Sequence, residues 1–261
     1  MNQPWNLARS NYHDIRDLDY EVAVLPFGAT EPHNLHLPYA TDTLEATIIG
    51  EQVCQEAWNR GAKVVLLPTI PFGTQTNMQE FPLALNVNPS TMMLLVADLL
   101  ESVVNSGIRK ILLLNSHGGN ALKPIVRELG AQTEGHLFLC DWFHSVQDVY
   151  HDIFENPEDH AGEMETSFGL AYFPDLVRVD AQGKPAGDSG AKRKMRFEAL
   201  NQGWVSISRP WHLLTTNSGA ADPQAATAEK GRQLMQVLVT RLSGFITELS
   251  ESKLDSDFPF A

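Results

Sequence analysis

Four short, uniformly apolar runs, each followed by a longer amphipathic stretch, constrain this chain more than any other feature. Val22–Pro26, Val64–Leu67, Ile111–Leu114 and Leu137–Cys140 show no alternation of apolar and polar residues. A strand with one wet face would alternate, so continuous runs predict strands covered on both faces. Helical patterns lie at about 43–60, 90–107 and 120–134, each ending near a glycine, Gly61, Gly107 or Gly135, as helix C-caps do. A further helix is expected to start near Glu163. The last is expected to start at Asp222-Pro223, a capping acid followed by proline at the first helical position, and to run through Lys230 to about Leu249. Such alternation predicts an α/β fold, a mostly parallel sheet flanked by helices. No repeat or linker divides the 261 residues, so one domain over 1–261 is expected.

Charge narrows the partners. Asp+Glu 32 against Lys+Arg 19 gives a net charge of −13, which disfavours a nucleic-acid backbone or an anionic membrane and suits a small or cationic partner. Cys54 and Cys140 have no C-x-x-C spacing and read as buried thiols in a reducing compartment. The N-terminus lacks an apolar core segment, and no window approaches ~18 uninterrupted apolar residues, so a soluble cytoplasmic protein is expected. Gln182 to Gly219 is a long Gly-, Pro- and Ser-rich stretch carrying Lys192-Arg193-Lys194. It is either a solvated charged face, a functional loop or a surface for a neighbouring subunit.

Chemistry concentrates just after the strands. The first run is followed by Gly28 to Asp42, in which Glu31, His33, His36 and Asp42 bring two imidazoles and two carboxylates into twelve residues. Pro32 and Pro38 bar a helix there, so Glu31 and His33 share a face of an extended segment. Imidazole and carboxylate donors without thiolate suit zinc, manganese or iron(II), unless the histidines only hydrogen-bond. After the third run comes Asn115-Ser116-His117-Gly118-Gly119-Asn120, where glycine lets backbone approach a ligand, or simply makes a tight turn. Both clusters sit at the carboxyl ends of strands, where open α/β sheets bind ligands. The third, Asp159 to Ser167, sets His160 at a helix start with Glu163 and Glu165 in its first turns, where carboxylates also serve as caps. Together the three supply donors for two metals sharing a carboxylate, with an imidazole and a glutamate left for proton transfer.

These segments resemble the creatininase family of metallohydrolases. The runs T-E-x-H-x-x-H-L-P-x-x-x-D from Thr30, N-x-H-G-G-N from Asn115, H-A-G-E-x-E-T-S from His160 and A-D-P-x-x-A-T-x-E-K-G from Ala221 occur in the family's order. The resemblance implies a single α/β domain, a dinuclear centre of divalent ions (zinc first, manganese or iron next), hydrolysis of a C–N bond in a small cyclic or formyl amide, and a homo-oligomer, commonly a hexamer. It makes Glu31 and His117 ligands of one metal, His33 a ligand of the other, and Asp42 the bridge. Creatininase has a glutamate ligand at the place of Gly119, so Glu163 is expected to replace it. His160 and Glu165 match positions near the substrate and are the expected catalytic pair, with His160 the acid for the leaving nitrogen, and His36 supports the ligands from behind. Gly118 and Asn156 stand where creatininase has aromatic residues around its substrate, although Trp142 is kept, so creatinine itself is not expected. The 73–83 loop, which also departs from the family, is expected to shape the pocket. The alternative is a metal-containing binding subunit without catalysis.

Overall fold

The structure, a computed structural model, describes residues 3–260. The apolar runs form β1 (Val22–Phe27), β2 (Val64–Leu66), β3 (Lys110–Asn115) and β4 (His136–Asp141). They make one parallel sheet in the order β2-β1-β3-β4. Between and after them run α1 (Thr41–Asn59), α2 (Pro89–Asn105), α3 (Leu122–Leu129), α4 (Glu163–Tyr172) and α5 (Ala228–Glu251).

The absence of alternation has a direct cause. Val22, Val24, Leu112 and Leu114 pack against one core, with Ile49 and Val53 of α1, Phe168 of α4, and Leu234 and Leu238 of α5. Ala23, Leu25, Ile111 and Leu113 pack against the other, with Met92, Val96 and Leu100 of α2 and Ile125 and Leu129 of α3. Each strand therefore sends successive residues into two different helix layers. Gly61 and Gly107, with φ of +96° and +89°, end α1 and α2 as expected.

Two helix boundaries differ from expectation. α3 stops at Leu129 and is capped by Gly130, with residues 131–135 in turns before β4, so Gly135 plays no capping part. α5 begins at Ala228, because the Thr227 side chain accepts from the Lys230 amide, while Asp222 closes a turn on Gln224 N instead. Cys54 is buried, but Cys140 is only half-buried, since β4 is an edge strand. No helix among the described residues is long and apolar enough to cross a membrane.

Lys110 locks the sheet to the end of α5. Its side chain is buried, and Nζ donates to the carbonyls of Ser250 (3.2 Å) and Ser252 (2.6 Å) and to Glu21 Oε2 (3.3 Å). Those carbonyls have no intrahelical partner, so the ammonium both satisfies them and meets the negative end of the helix. Lys110→Met keeps the apolar stem and strands the acceptors. It is expected to cost about 2–3 kcal/mol, read as a lower urea midpoint at unchanged slope.

The topology also fixes where a site forms. From β1 the chain crosses through α1 to β2 on one side, then returns over α2 to β3 on the other. The loops leaving β1 and β3 diverge at this switch point and open a crevice between them.

Candidate metal centre

Residues from all three sequence clusters meet in that crevice. Glu31 and His33 come from the segment after β1, Asp42 from the first turn of α1, His117 from the turn after β3, and His160 and Glu165 from the start of α4. Glu31, His33, Asp42, His117 and His160 are buried, and Glu165 is half-buried. His33 Nε2 lies 3.1 Å from Asp42 Oδ1, and His117 Nδ1 lies 3.1 Å from Asp42 Oδ2 and 3.3 Å from Glu31 Oε1. His160 Nδ1 is 3.7 Å from Glu31 Oε1.

Each imidazole spends its other nitrogen on a backbone carbonyl. His33 Nδ1 lies 3.0 Å from Glu31 O, His117 Nε2 3.1 Å from Thr74 O, and His160 Nε2 2.9 Å from Pro32 O. A ring N–H donating to a carbonyl fixes the tautomer and aims the opposite lone pair, which is how metal-binding histidines are held. Ala161, with φ of +53°, makes the tight turn after His160, and its amide donates to Glu165 Oε2 at 2.5 Å. That left-handed alanine is strain placed where it orients both residues.

The electrostatics suit cations. Burial would push the Glu31 and Asp42 carboxyls up, yet His117 and His160 hold Glu31 below its usual range, and His33 and His117 hold Asp42 well below. Burial works against charge on His33 too, but Asp42, Glu165 and Glu31 carry it up to about 10. His117 rises well above its ordinary value against the same burial, on the charges of Glu31 and Asp42. Glu165 is raised by burial and by Asp42, with His33 and His160 offsetting part. Glu31 Oε2 is buried with no hydrogen-bond partner, a costly state that a bound cation relieves, and Asp42 Oδ2 faces only the His117 ring. Donor atoms of Glu31, Asp42 and His117, of His33, Asp42 and Glu165, and of Glu31, His33 and His160 lie within 4.8 Å of one another in each group. The donor set fits divalent ions of the zinc, manganese or iron kind.

Glu163 is not brought to this cluster. Its buried carboxylate accepts from the amides of Glu155 (3.0 Å) and Asn156 (2.8 Å) and from Asn156 Nδ2, and it pairs with Lys230 Nζ of α5. Its lone pairs are thus spent, and the expectation that it replaces the missing ligand is corrected; Glu165 sits among the donors instead. Glu165 in turn does not hold His160, whose orienting partner is Pro32 O. Asn156, tied to Glu163, does not line the cavity. His36 lies outside the donor groups, its Nε2 bonded to Thr166 Oγ1 at 2.7 Å, and burial and the His33 charge lower its pKa to about 4.

A cavity of about 610 Å³ opens onto the cluster, walled by Met78, Trp142, Phe143, Tyr150 and Trp211, with Asn77 and Met78 supplied by the 73–83 loop. Sequence reasoning missed several residues of this site. Glu45, one turn after Asp42, is buried; Ser116 Oγ donates to its Oε2 (3.0 Å) and accepts from Trp142 Nε1 (2.8 Å). Its spacing of three from Asp42 on a helix was the available signal. Glu158 takes the amides of Gly162 and Met164, and burial with the nearby Glu165 charge pushes its pKa up to about 8.

Gly119 has a steric reason. A Cβ there would lie 2.3 Å from His117 Nε2 and 2.5 Å from Thr74 O, so the space for a side chain is closed by the bond that orients His117. Gly119→Ala is expected to swing the His117 ring and weaken metal binding about 10- to 100-fold, the usual cost of disturbing a ligand's outer partner. Competition with a chelator of known affinity checks this.

Fold and site together define an α/β enzyme of the hydrolase kind. The family model described as creatinine amidohydrolase matches residues 8–246, and the chain belongs to the creatininase family. It is 28% identical over 228 residues to the mycofactocin precursor peptide peptidase of Mycobacterium ulcerans, covering 83% of this chain and 80% of that one. It is 27% identical over 247 residues to the 3-dehydro-scyllo-inosose hydrolase of Thermotoga maritima, covering 88% and 78%. Among solved structures, a candidate creatinine amidohydrolase from Bacteroides fragilis superposes with a TM-score of 0.88 at 33% identity over 98% of this chain and 100% of that one. Creatininase in a manganese form shares the fold, with a TM-score of 0.73 at 22% identity over 95% and 99%.

Proposed function

We propose that the chain is a metal-dependent amidohydrolase that cleaves a C–N bond in a small cyclic or formyl amide, using two divalent ions, zinc first and manganese or iron next. The observation that carries this reading is Asp42, whose carboxylate belongs to two donor groups at once. Glu31 and His117 complete one group, and His33 and Glu165 the other. Glu165 thereby makes good the ligand absent at Gly119, which removes the main reason for a binding subunit without catalysis.

When bound, the ions lower the pKa of a water toward ~7 and accept charge developing on a carbonyl oxygen. The remaining tasks fall to the chain. His160 stays outside the two groups that share Asp42, faces the cavity, and is fixed through Nε2, so Nδ1 is the atom that takes a proton from the attacking water and passes it to the leaving nitrogen. Trp142 and Trp211 wall the cavity and limit water around the reacting groups. Gly118 leaves its side of the cavity open, which suits a substrate other than creatinine.

The same reading takes the chain as one domain over 1–261 in the cytoplasm, with no nucleic-acid or membrane partner, and as a homo-oligomer with a hexamer first. Exposed Phe197, Trp204 and Ile207 on the 182–219 loop support a subunit contact. The test loads metal-free protein with zinc, manganese or iron(II), counts equivalents per chain, and measures rates on cyclic amides, formamides and short peptides. Two equivalents with turnover of a C–N amide is the expected result. Tight metal binding with no turnover on any of them would replace this reading by the binding role.

A further inference from the structure

The 182–219 loop places a basic groove beside the metal centre that the chemistry above does not use. The Arg209 guanidinium lies 4.4 Å above the Trp211 ring. Trp211 is buried, with Nε1 donating to Ser218 O at 2.6 Å, and its ring stands edge-on to His160 at 5.6 Å between centroids. Arg209 is therefore held one ring away from His160. Both of its terminal nitrogens donate to Asp159, at 3.0 and 3.2 Å, and Lys192 Nζ donates to the same carboxylate. Two cations share one anion at the cavity rim, and most of the guanidinium's five N–H groups have no partner among the described residues.

Arg209 also lines a second cavity of about 680 Å³, where Lys192, Arg193 and Lys194 join it and Glu198 is the one acid in the wall. In a chain of net charge −13, four cations against two carboxylates, Glu198 in the wall and Asp159 bound to Arg209 and Lys192, still reverse the local sign, and a concave surface concentrates that field. Glu158 lines the neighbouring cavity and is not part of this wall. Stacking on a fixed indole pre-organises the guanidinium, so little freedom is lost when it grips a ligand.

We propose that the substrate carries an anionic group, a carboxylate or a phosphate, remote from the scissile amide, and that Arg209 with Lys192 holds it. The scissile bond rests on the amidohydrolase reading, whereas the anion site stands on its own geometry. Arg209 is thus a specificity-determining residue.

The test titrates metal-free full-length protein calorimetrically with inorganic phosphate and, separately, with glutarate, at low ionic strength. One of the two is expected to bind, with Arg209→Gln weakening it about tenfold or more, Lys192→Gln weakening it less, and Asp159→Asn, which frees the guanidinium, tightening it. Preference for phosphate or for glutarate assigns the group. With metal-loaded enzyme, N-formyl-β-alanine should exceed neutral N-formylethanolamine in kcat/KM, and Arg209→Gln should erase that preference through KM. Failure of both anions to bind, or binding that neither Arg209→Gln nor Lys192→Gln weakens, overturns the proposal even if neutral amides are cleaved. Anion binding that obeys the variants without hydrolysis of any amide upholds the site and overturns the amidohydrolase reading instead.

Discussion

Asp42→Asn is expected to release both divalent ions and, with them, all amide turnover. The substitution keeps the size of the side chain and its place in the first turn of α1 but removes the charge. Asp42 Oδ1 faces His33 and Oδ2 faces His117, each at 3.1 Å. Two donor groups therefore depend on one carboxylate. Disturbing even an outer partner of a metal ligand costs about 10- to 100-fold in affinity, and a shared charged ligand stands to cost more at each of two sites. A pH dependence accompanies the loss. In the metal-free protein Asp42, against the opposing burial, helps keep His33 protonated to about pH 10, so an entering cation must expel that proton and affinity should climb with pH. Without Asp42 the His33 pKa falls and the climb flattens. Elemental analysis after gel filtration at several pH values decides. Retention of two ions would remove Asp42 from the centre, and retention of one would make it a terminal ligand rather than a bridge.

The parts of this architecture that the sequence makes legible share a physical reason. Strand runs could be read because Val22 and Ala23, or Leu112 and Leu113, point into two separate helix layers, which forces apolar residues at every position. Glu31, His33, Asp42 and His117 could be read because they follow strand ends, where the topology must open a crevice. Glu163 and Glu165 show where such reading stops. Two residues apart on a helix means roughly 200° of rotation, so only one of them can face the cluster, and local sequence does not say which. Lys230 decides it from α5, by drawing Glu163 to the opposite side. Arg209 and Trp211 escaped for a related reason. Their loop has no periodicity, and their partners Asp159 and His160 lie about fifty residues earlier in the chain. The start of α5 was misplaced because Asp222-Pro223 and Thr227 both have the chemistry of a helix cap, and only the backbone shows which one turns inward.

His160→Ala is expected to keep both ions and the fold yet lose turnover by about 10²- to 10⁴-fold, the usual worth of a general acid. The His160 ring stacks at a tilt on His33, 4.3 Å between centroids, and stands edge-on to Trp211 at 5.6 Å, so its position is over-determined by packing as well as by Pro32 O. Its Nδ1 lies farther from the carboxylates than the corresponding atoms of His33 and His117, at 3.7 Å against 3.1 Å for each of them. That looser tie leaves Nδ1 able to hand a proton to a leaving nitrogen, which needs it before the C–N bond breaks. The deficit should therefore shrink for amides with good leaving groups. Glu165→Gln supplies the contrast, because a residue inside the His33–Asp42 group should lose metal where His160 does not. If His160→Ala loses an ion, His160 belongs with Glu31 and His33 as a third donor group; if it keeps full rate on an unactivated amide, proton delivery passes to Glu158, the next proton-holding group on the cavity wall.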